Sequence, residues 1–512
     1  MSSGATPAGR RTHAWSSGAA LGLIALIHLP SVGFGFLDWD DPIHVTKNPS
    51  VLTPAAVPLR DHLTTPALGY PIPISVASYG LELQLLGPAP WHFHLINVVL
   101  HALNCVLLLG LARRLGLHWI GATCAVLLFG LHPVVAEPVS WVTGRKDVLA
   151  TSFGLLMLWL AHPPSNQPRR AAALLCYALG LLSKPTIAPL VLLLGLLEDR
   201  SRSQELRARA LHAARTLAPY LLVLVPVIVL GVIGQRAAGA IGETEHAGAG
   251  YARGAWYALG MHLRLILGLE EPTAKYLPLP WPPPFTATVD LLPLAAAAGA
   301  ALGLRWLAAP QRRAAGFGLL WAVLTYLPNS NLIPLVRYVA DSYVYLPLIG
   351  CALYTGALAD GLVARVPRLL PLFRVALPAL VLFACLPAFA RSQARFRDDR
   401  ALWVHALRRY PYNPRLCRQW ANGVVKRDGP AQGLSATELC VKQFGDELFA
   451  KNKGMLLGRL GRFDEAKSWL ERALERHPND ASVRAALASL AQVTAQESPR
   501  PAEAVQPPAA SP

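Results

Sequence analysis

Asp38, Asp40 and Asp41 fall within four positions in the stretch FGFLDWDDPIHVTKNP (residues 34–49), directly after about twenty mostly apolar residues. A carboxylate held beside apolar surface and a second acid binds its proton more tightly than one in water. That suits it to take a proton from a hydroxyl. Asp40, with Asp41 beside it, is therefore a candidate catalytic base at a membrane–water boundary. The plainer alternative is a solvated loop in which Asp41-Pro42 starts a turn.

Two further segments carry compatible groups. HPVVAEPVSWVTGRKD (132–147) offers His132, Glu137, Trp141, Arg145, Lys146 and Asp147. An Arg-Lys pair can neutralise a phosphate, since guanidinium matches phosphate oxygens in bidentate fashion. Interfacial anchoring is the alternative. His132 and Glu137 lack a standard ligand spacing, so no metal ligands are assigned; a divalent metal stays open as a cofactor, and no other cofactor is implied. The segment beginning at Arg337 adds Asp341, Tyr343 and Tyr345, which are either substrate-pathway residues or an ion pair fastening helices. Asn97, His101 and Asn104 share one helix face, for substrate contact or inter-helix hydrogen bonds. Neither a P-loop nor a GxSxG, HExxH or Rossmann glycine pattern occurs.

The elements that must position these groups are membrane helices. The chain has 512 residues, 53% hydrophobic and 15% charged, with 44 prolines and 40 glycines, a composition tolerated in spanning helices. Apolar runs at 17–36, 93–112, 118–136, 147–161, 171–183, 186–198, 214–234, 289–308, 315–330, 343–361 and 372–390 give about eleven spans. The net charge of +17 comes largely from arginines in short connections, which points to topology rather than nucleic-acid binding. Arg113/Arg114, Arg169/Arg170, Arg200 to Arg215, Arg312/Arg313 and Arg365 to Arg374 all become cytoplasmic if the N-terminus (1–16) is inside. Parity requires 253–269 to lie in the membrane plane. Loops 37–92, 132–147, 235–288 and 329–343 then share the outer face with everything after residue 390.

Beyond 390 the apolar runs stop. Residues 454–478 fit one tetratricopeptide repeat: Gly454, Ala466 and Ala473 where helices touch, Leu457, Phe463 and Leu470 filling, Pro478 closing. Segments 399–428 and 481–493 read as its helical neighbours, since one repeat cannot bury its face alone. The helical domain is placed at 391–493 and a disordered tail at 494–512. Five of seven cysteines lie in apolar runs; Cys417 and Cys440 are placed to pair if this region is outside the cytoplasm.

Taken together, DDP-x-x-x-x-x-NP, HALN, HP-x-x-x-E-x-x-x-W-x-x-x-RKDVL, L-x-SKP and AD-x-Y-x-YLP resemble, in that order, the GT-C membrane glycosyltransferases that carry tetratricopeptide repeats. That group includes bacterial members and the animal transmembrane-and-TPR protein O-mannosyltransferases. The resemblance covers about residues 20–480. It implies an all-α GT-C-like bundle over 17–390, a polyprenyl-phosphate-linked sugar donor, and inverting transfer to a protein or envelope-glycan hydroxyl at the outer face. Asp40 and Asp41 would be catalytic. Arg145, Lys146 and Arg337 would hold the lipid phosphate, and His132 and Glu137 would orient sugar hydroxyls. His101, Asp147, Asp341 and Tyr343 complete the candidate substrate site. Two departures stand out: Gly144 where members have an acid, and Ser342 where they have arginine.

The competing reading is a non-catalytic membrane scaffold that recruits a protein partner through its repeat. A transporter would show mid-membrane charges and an internal repeat, and neither is seen. Composition and short loops place the protein in a bacterial cytoplasmic membrane.

Overall fold

Helices form at every apolar run named above, and no strand occurs among the described residues, which are 7–65, 71–161, 167–198, 206–237, 249–276, 283–332, 335 and 337–497 of the computed structural model. Residues 1–6, Arg200, Arg202 and the tail from 498 lie outside them. Proline stands in the first turn of many helices, among them Pro73–Leu86, Pro90–Arg114, Pro414–Asp428 and Pro430–Phe444, where its missing N–H would have no partner anyway.

Among the described residues five helices are long and apolar enough to cross a membrane: Pro90–Arg114, Ala213–Gly234, Ala287–Trp306, Asp341–Arg365 and Pro367–Ala394. This is a multi-pass membrane protein. The expected eleven spans do not all appear as crossings. Arg145–Ala161 and Gln167–Ser183 have 17 residues each and Leu190–Glu198 has nine. These are lengths among the described residues, and 17 residues is at the lower end of the range of about 17–25 for a spanning helix. The run 253–269 becomes the helix Ala249–Ile266, which is not among the candidate spans.

One break positions the site. Trp119–Leu131 and Pro133–Ser140 form a bent pair with a 48° angle. Pro133 cannot continue the preceding hydrogen-bond ladder, and His132 before it is forced into an extended conformation. The chain turns back through short helical turns and enters the next helix at Arg145. Every residue from Phe129 to Arg145 is buried, the condition under which irregular backbone is tolerated at depth. Helix Trp119–Leu131 is held by Tyr345–Arg365, where Gly121 meets Gly356 and the buried Asp360 accepts the N–H groups of His118 and Gly121.

The chain divides after Asp398, eight residues beyond the expected boundary, because the last membrane helix runs on to Ala394. In the second unit, Ala450–Arg459 and Phe463–Arg476 form the repeat's helix pair around buried Leu457, Ala466, Leu470 and Ala473. Phe463 is only half-buried. A Cβ on Gly454 would stand 2.7 Å from Cγ of Leu470, so only glycine lets the two helices approach this closely. Gly461 turns the chain between them at φ +77°. Asp399–Arg409, Pro414–Asp428 and Ala481–Glu497 are the neighbouring helices. Cys417 and Cys440 form a disulfide with Cα atoms 5.9 Å apart. Alkylation of native membranes followed by mass spectrometry is expected to label Cys417 and Cys440 only after reduction; labelling of both beforehand would refute the pairing.

Candidate active site

Asp40 lies half-buried in the loop that follows helix Pro7–His28, and three segments bring charges to it. Burial raises its pKa above the ordinary carboxylate value. The cations Lys146, Arg337 and Lys275 pull part of that rise back, while Glu137 adds to it. Trp39, its neighbour, stacks on Trp141 with ring centroids 4.5 Å apart and planes 15° apart. Each ring carries a cation: Arg337 stands 4.9 Å from the Trp39 centroid and Lys146 5.3 Å from that of Trp141.

Asp41, fully buried, does something different. It accepts hydrogen bonds from the Leu37 N–H at 2.8 Å, the Thr143 N–H at 3.3 Å and the Thr143 hydroxyl. Burial still outweighs these bonds and pushes its pKa up to about 6. Asp41 therefore fastens the aspartate loop to the re-entrant segment, with its oxygens already engaged.

The two members of the Arg145-Lys146 pair likewise part company. Arg145 is buried behind the site: Nε donates to Asn97 at 2.9 Å, Nη2 to the Phe93 carbonyl at 2.8 Å, and Nη1 to Glu82. Its guanidinium also lies 4.7 Å over Tyr79. Glu82 is further held by His92 at 2.8 Å. Asp147 pairs with Lys184 of the SKP motif. Of the basic pair only Lys146 acts on Asp40, and its ammonium forms no hydrogen bond or ion pair among the described residues.

A second layer joins the re-entrant segment to the Arg337–Tyr345 segment. Glu137, wholly buried, accepts from Arg337 at 3.1 and 3.4 Å and from the Ser342 hydroxyl at 2.9 Å. Asp341 accepts from the Tyr276 hydroxyl and pairs with Arg395. Gly144 and Ser342, the two departures from the resembled pattern, both lie in this layer. A Cβ on Gly144 would lie 2.7 Å from the backbone Cα of Pro138, so no side chain fits. Ser342 bonds Glu137 directly, beside Arg337 on the same carboxylate.

Three further sequence candidates have partners of their own. His101 donates to the Gly130 carbonyl at 3.2 Å and meets the Tyr345 hydroxyl at 2.8 Å, to which Asn104 also donates. This is the inter-helix alternative raised for that helix face. His132 accepts the Val134 N–H and donates to the Ile266 carbonyl at 3.0 Å. Tyr343 is half-buried, its ring 6.0 Å from His262. Sequence reading missed Lys275, Tyr276, Arg395 and Glu82, which belong to no motif; the only signal for Lys275, Arg395 and Glu82 was their charge, and Tyr276 offered none. No group of three or more His, Cys, Asp or Glu among the described residues could hold a metal ion. A cavity of about 490 Å³, lined by Leu23, Trp119, Leu127 and Arg374 among others, shares none of these residues. Another, of about 400 Å³, begins at Pro42 and Ile43 and runs past Lys47, Asn48 and Asp61.

Residues 451–490 match the tetratricopeptide repeat family. The chain is 30% identical to Protein O-mannosyl-transferase Tmtc2 of Drosophila melanogaster over 196 residues, 34% of this chain and 21% of that protein. It is similar to the protein O-mannosyltransferases. Against Tmtc1 of Drosophila melanogaster the identity is 29% over 188 residues, again 34% of this chain and 21% of the relative. Against TMTC1 of Mus musculus it is 38% over 89 residues, 16% and 9% of the two chains. The match thus spans about a fifth or less of the length of these relatives. No solved structure matches.

The unlike surroundings of Arg145 and Lys146 separate two substitutions. Arg145→Met strands the buried Glu82 and is expected to lower stability by about 3–5 kcal/mol. Lys146→Met has no paired partner to strand and is expected to change it by less than about 1 kcal/mol. Thermal unfolding of the detergent-solubilised chain measures both, and equal losses would contradict the division.

Proposed function

We propose that this protein transfers one sugar, mannose by analogy with its relatives' names, from a polyprenyl-phosphate-linked donor to a protein serine or threonine hydroxyl. The observation that carries this reading is the half-buried carboxylate of Asp40 within the field of three cations from three separate segments, Lys146, Arg337 and Lys275. A base beside converging cations is the arrangement needed to activate a hydroxyl while a phosphate departs.

In the reaction Asp40 takes the proton of the acceptor hydroxyl as its oxygen bonds to the anomeric carbon. The bond from that carbon to the phosphate oxygen breaks on the opposite side, which inverts the centre. The electron pair stays with the lipid phosphate, whose growing negative charge Lys146, Arg337 and Lys275 stabilise. Asp41 holds the loop in place. The cavity beginning at Pro42 adjoins Asp40 along the chain and is the groove assigned to the acceptor. The resemblance puts these events on the outer membrane face. The Cys417–Cys440 disulfide supports the same side for the second unit, since disulfides persist in oxidising compartments. There the repeat would recruit acceptor or partner protein. A bacterial inner membrane is the compartment proposed.

Two measurements test this reading. In membranes supplied with polyprenyl-phosphate mannose and a serine/threonine peptide, Asp40→Asn is expected to lower transfer by about 10²–10⁴-fold at unchanged protein level. Full transfer by that variant would remove Asp40 from the chemistry. The second measurement is the pH profile. Asp40 must be ionised to act, and its pKa is raised, so activity is lost as pH falls at a higher pH than for a solvent-exposed aspartate. Lys146 lowers that pKa. Lys146→Met is therefore expected to move the acid limb to still higher pH, and an unmoved or lowered limb would show that Lys146 does not face the base.

A further inference from the structure

Beside Asp40 several buried polar atoms have no hydrogen-bond partner among the described residues: Nδ1 and Nε2 of His44, Nε1 of Trp141 and Nε of Arg337. His44 is 1% exposed and Trp141 3%. They belong to one neighbourhood. The His44 backbone N–H bonds the Asp40 backbone carbonyl at 3.1 Å, placing residue 44 one turn beyond the base. Lys146 stands over Trp141, and its charge acts on both His44 and Asp40. Arg337 stands over Trp39, which stacks on Trp141. Buried polar side chains are ordinarily paired, so several unpaired ones around one carboxylate point to a ligand that pairs them.

Their chemistry selects the ligand. Burial, with the charge of Lys146, pushes the His44 pKa down to about 2, so the imidazole is neutral and offers one donor and one acceptor. Trp141 offers one donor. A phosphate cannot donate to the imidazole acceptor; a group bearing adjacent hydroxyls both donates and accepts. We propose that His44 and Trp141 form the hydroxyl-binding subsite that seats the sugar of the lipid-phosphate donor against Asp40. The proposal rests on the transferase reading above and adds to it the residues that recognise the sugar rather than the phosphate. Because these atoms are covered, the sugar enters by parting the Trp39–Trp141 stack, of which Trp39 is the half-exposed ring.

The test uses the full chain in lipid nanodiscs and two probes, polyprenyl-phosphate mannose and the same polyprenyl phosphate without sugar. Trp141→Phe keeps an aromatic ring for the stack and removes Nε1–H; His44→Leu removes both ring nitrogens; His44→Asn restores one donor and one acceptor. Trp141→Phe and His44→Leu are each expected to weaken binding of the mannose probe about threefold to tenfold, with the bare lipid phosphate unchanged and His44→Asn recovering part of the loss. If Trp141→Phe and His44→Leu leave mannose-probe binding unchanged, or weaken both probes equally, the subsite is overturned while the transferase reading stands. Wild-type protein that binds neither probe overturns the transferase reading itself, and the subsite with it.

Discussion

The carboxylate of Asp41 is the point on which the site's geometry turns. It gathers the Leu37 N–H, the Thr143 N–H and the Thr143 hydroxyl, so that a loop following the first helix is pinned to a segment 102 positions away in the chain. Without that junction Asp40 would be an ordinary loop aspartate. With it, Asp40 is half-buried rather than solvated and stands within the field of Lys146. A charge without hydrogen bonds in such a position would be strongly disfavoured; three donors from two segments make it sustainable.

Behind that junction lies a rigid wall of fully satisfied charges. Arg145 spends its donors on Glu82, Asn97 and the Phe93 carbonyl, and Lys184 holds Asp147. Such pairs contribute little net stability, since desolvation offsets attraction, yet breaking either partner leaves an uncompensated charge. Their effect is to hold the re-entrant backbone in one arrangement. Lys146, between two such residues in sequence, is left facing the aspartate because its helical neighbours point inward.

How far this could be read in advance depends on the kind of information. The apolar runs were legible, because length and composition alone mark them, and helices occupy each one. That the run 118–136 turns back instead of running straight was not, because that is decided by the break at Pro133 and by packing. The motif residues were recognisable as a group, but adjacent residues on a turn point different ways, so Asp40 could not be told from Asp41, nor Lys146 from Arg145. Lys275 and Arg395 carry no motif, and only the tertiary path brings the one to Asp40 and the other to Asp341. Cys417 and Cys440 were the reverse case: their separation allowed a bridge, and the helix pairing of the second unit supplied it.

Glu137 has a consequence for how the protein is made. Its buried carboxylate is balanced by Arg337 and Ser342, the latter 205 positions later in the chain. During synthesis the re-entrant segment therefore emerges long before its counter-charge exists. Until the Arg337–Tyr345 segment arrives, Glu137 must stay hydrated or protonated, and the loop cannot close around it. The site is completed by nearly the last membrane helices to insert, so a chain truncated before that point retains its first aspartates but never assembles the pocket that gives them a use.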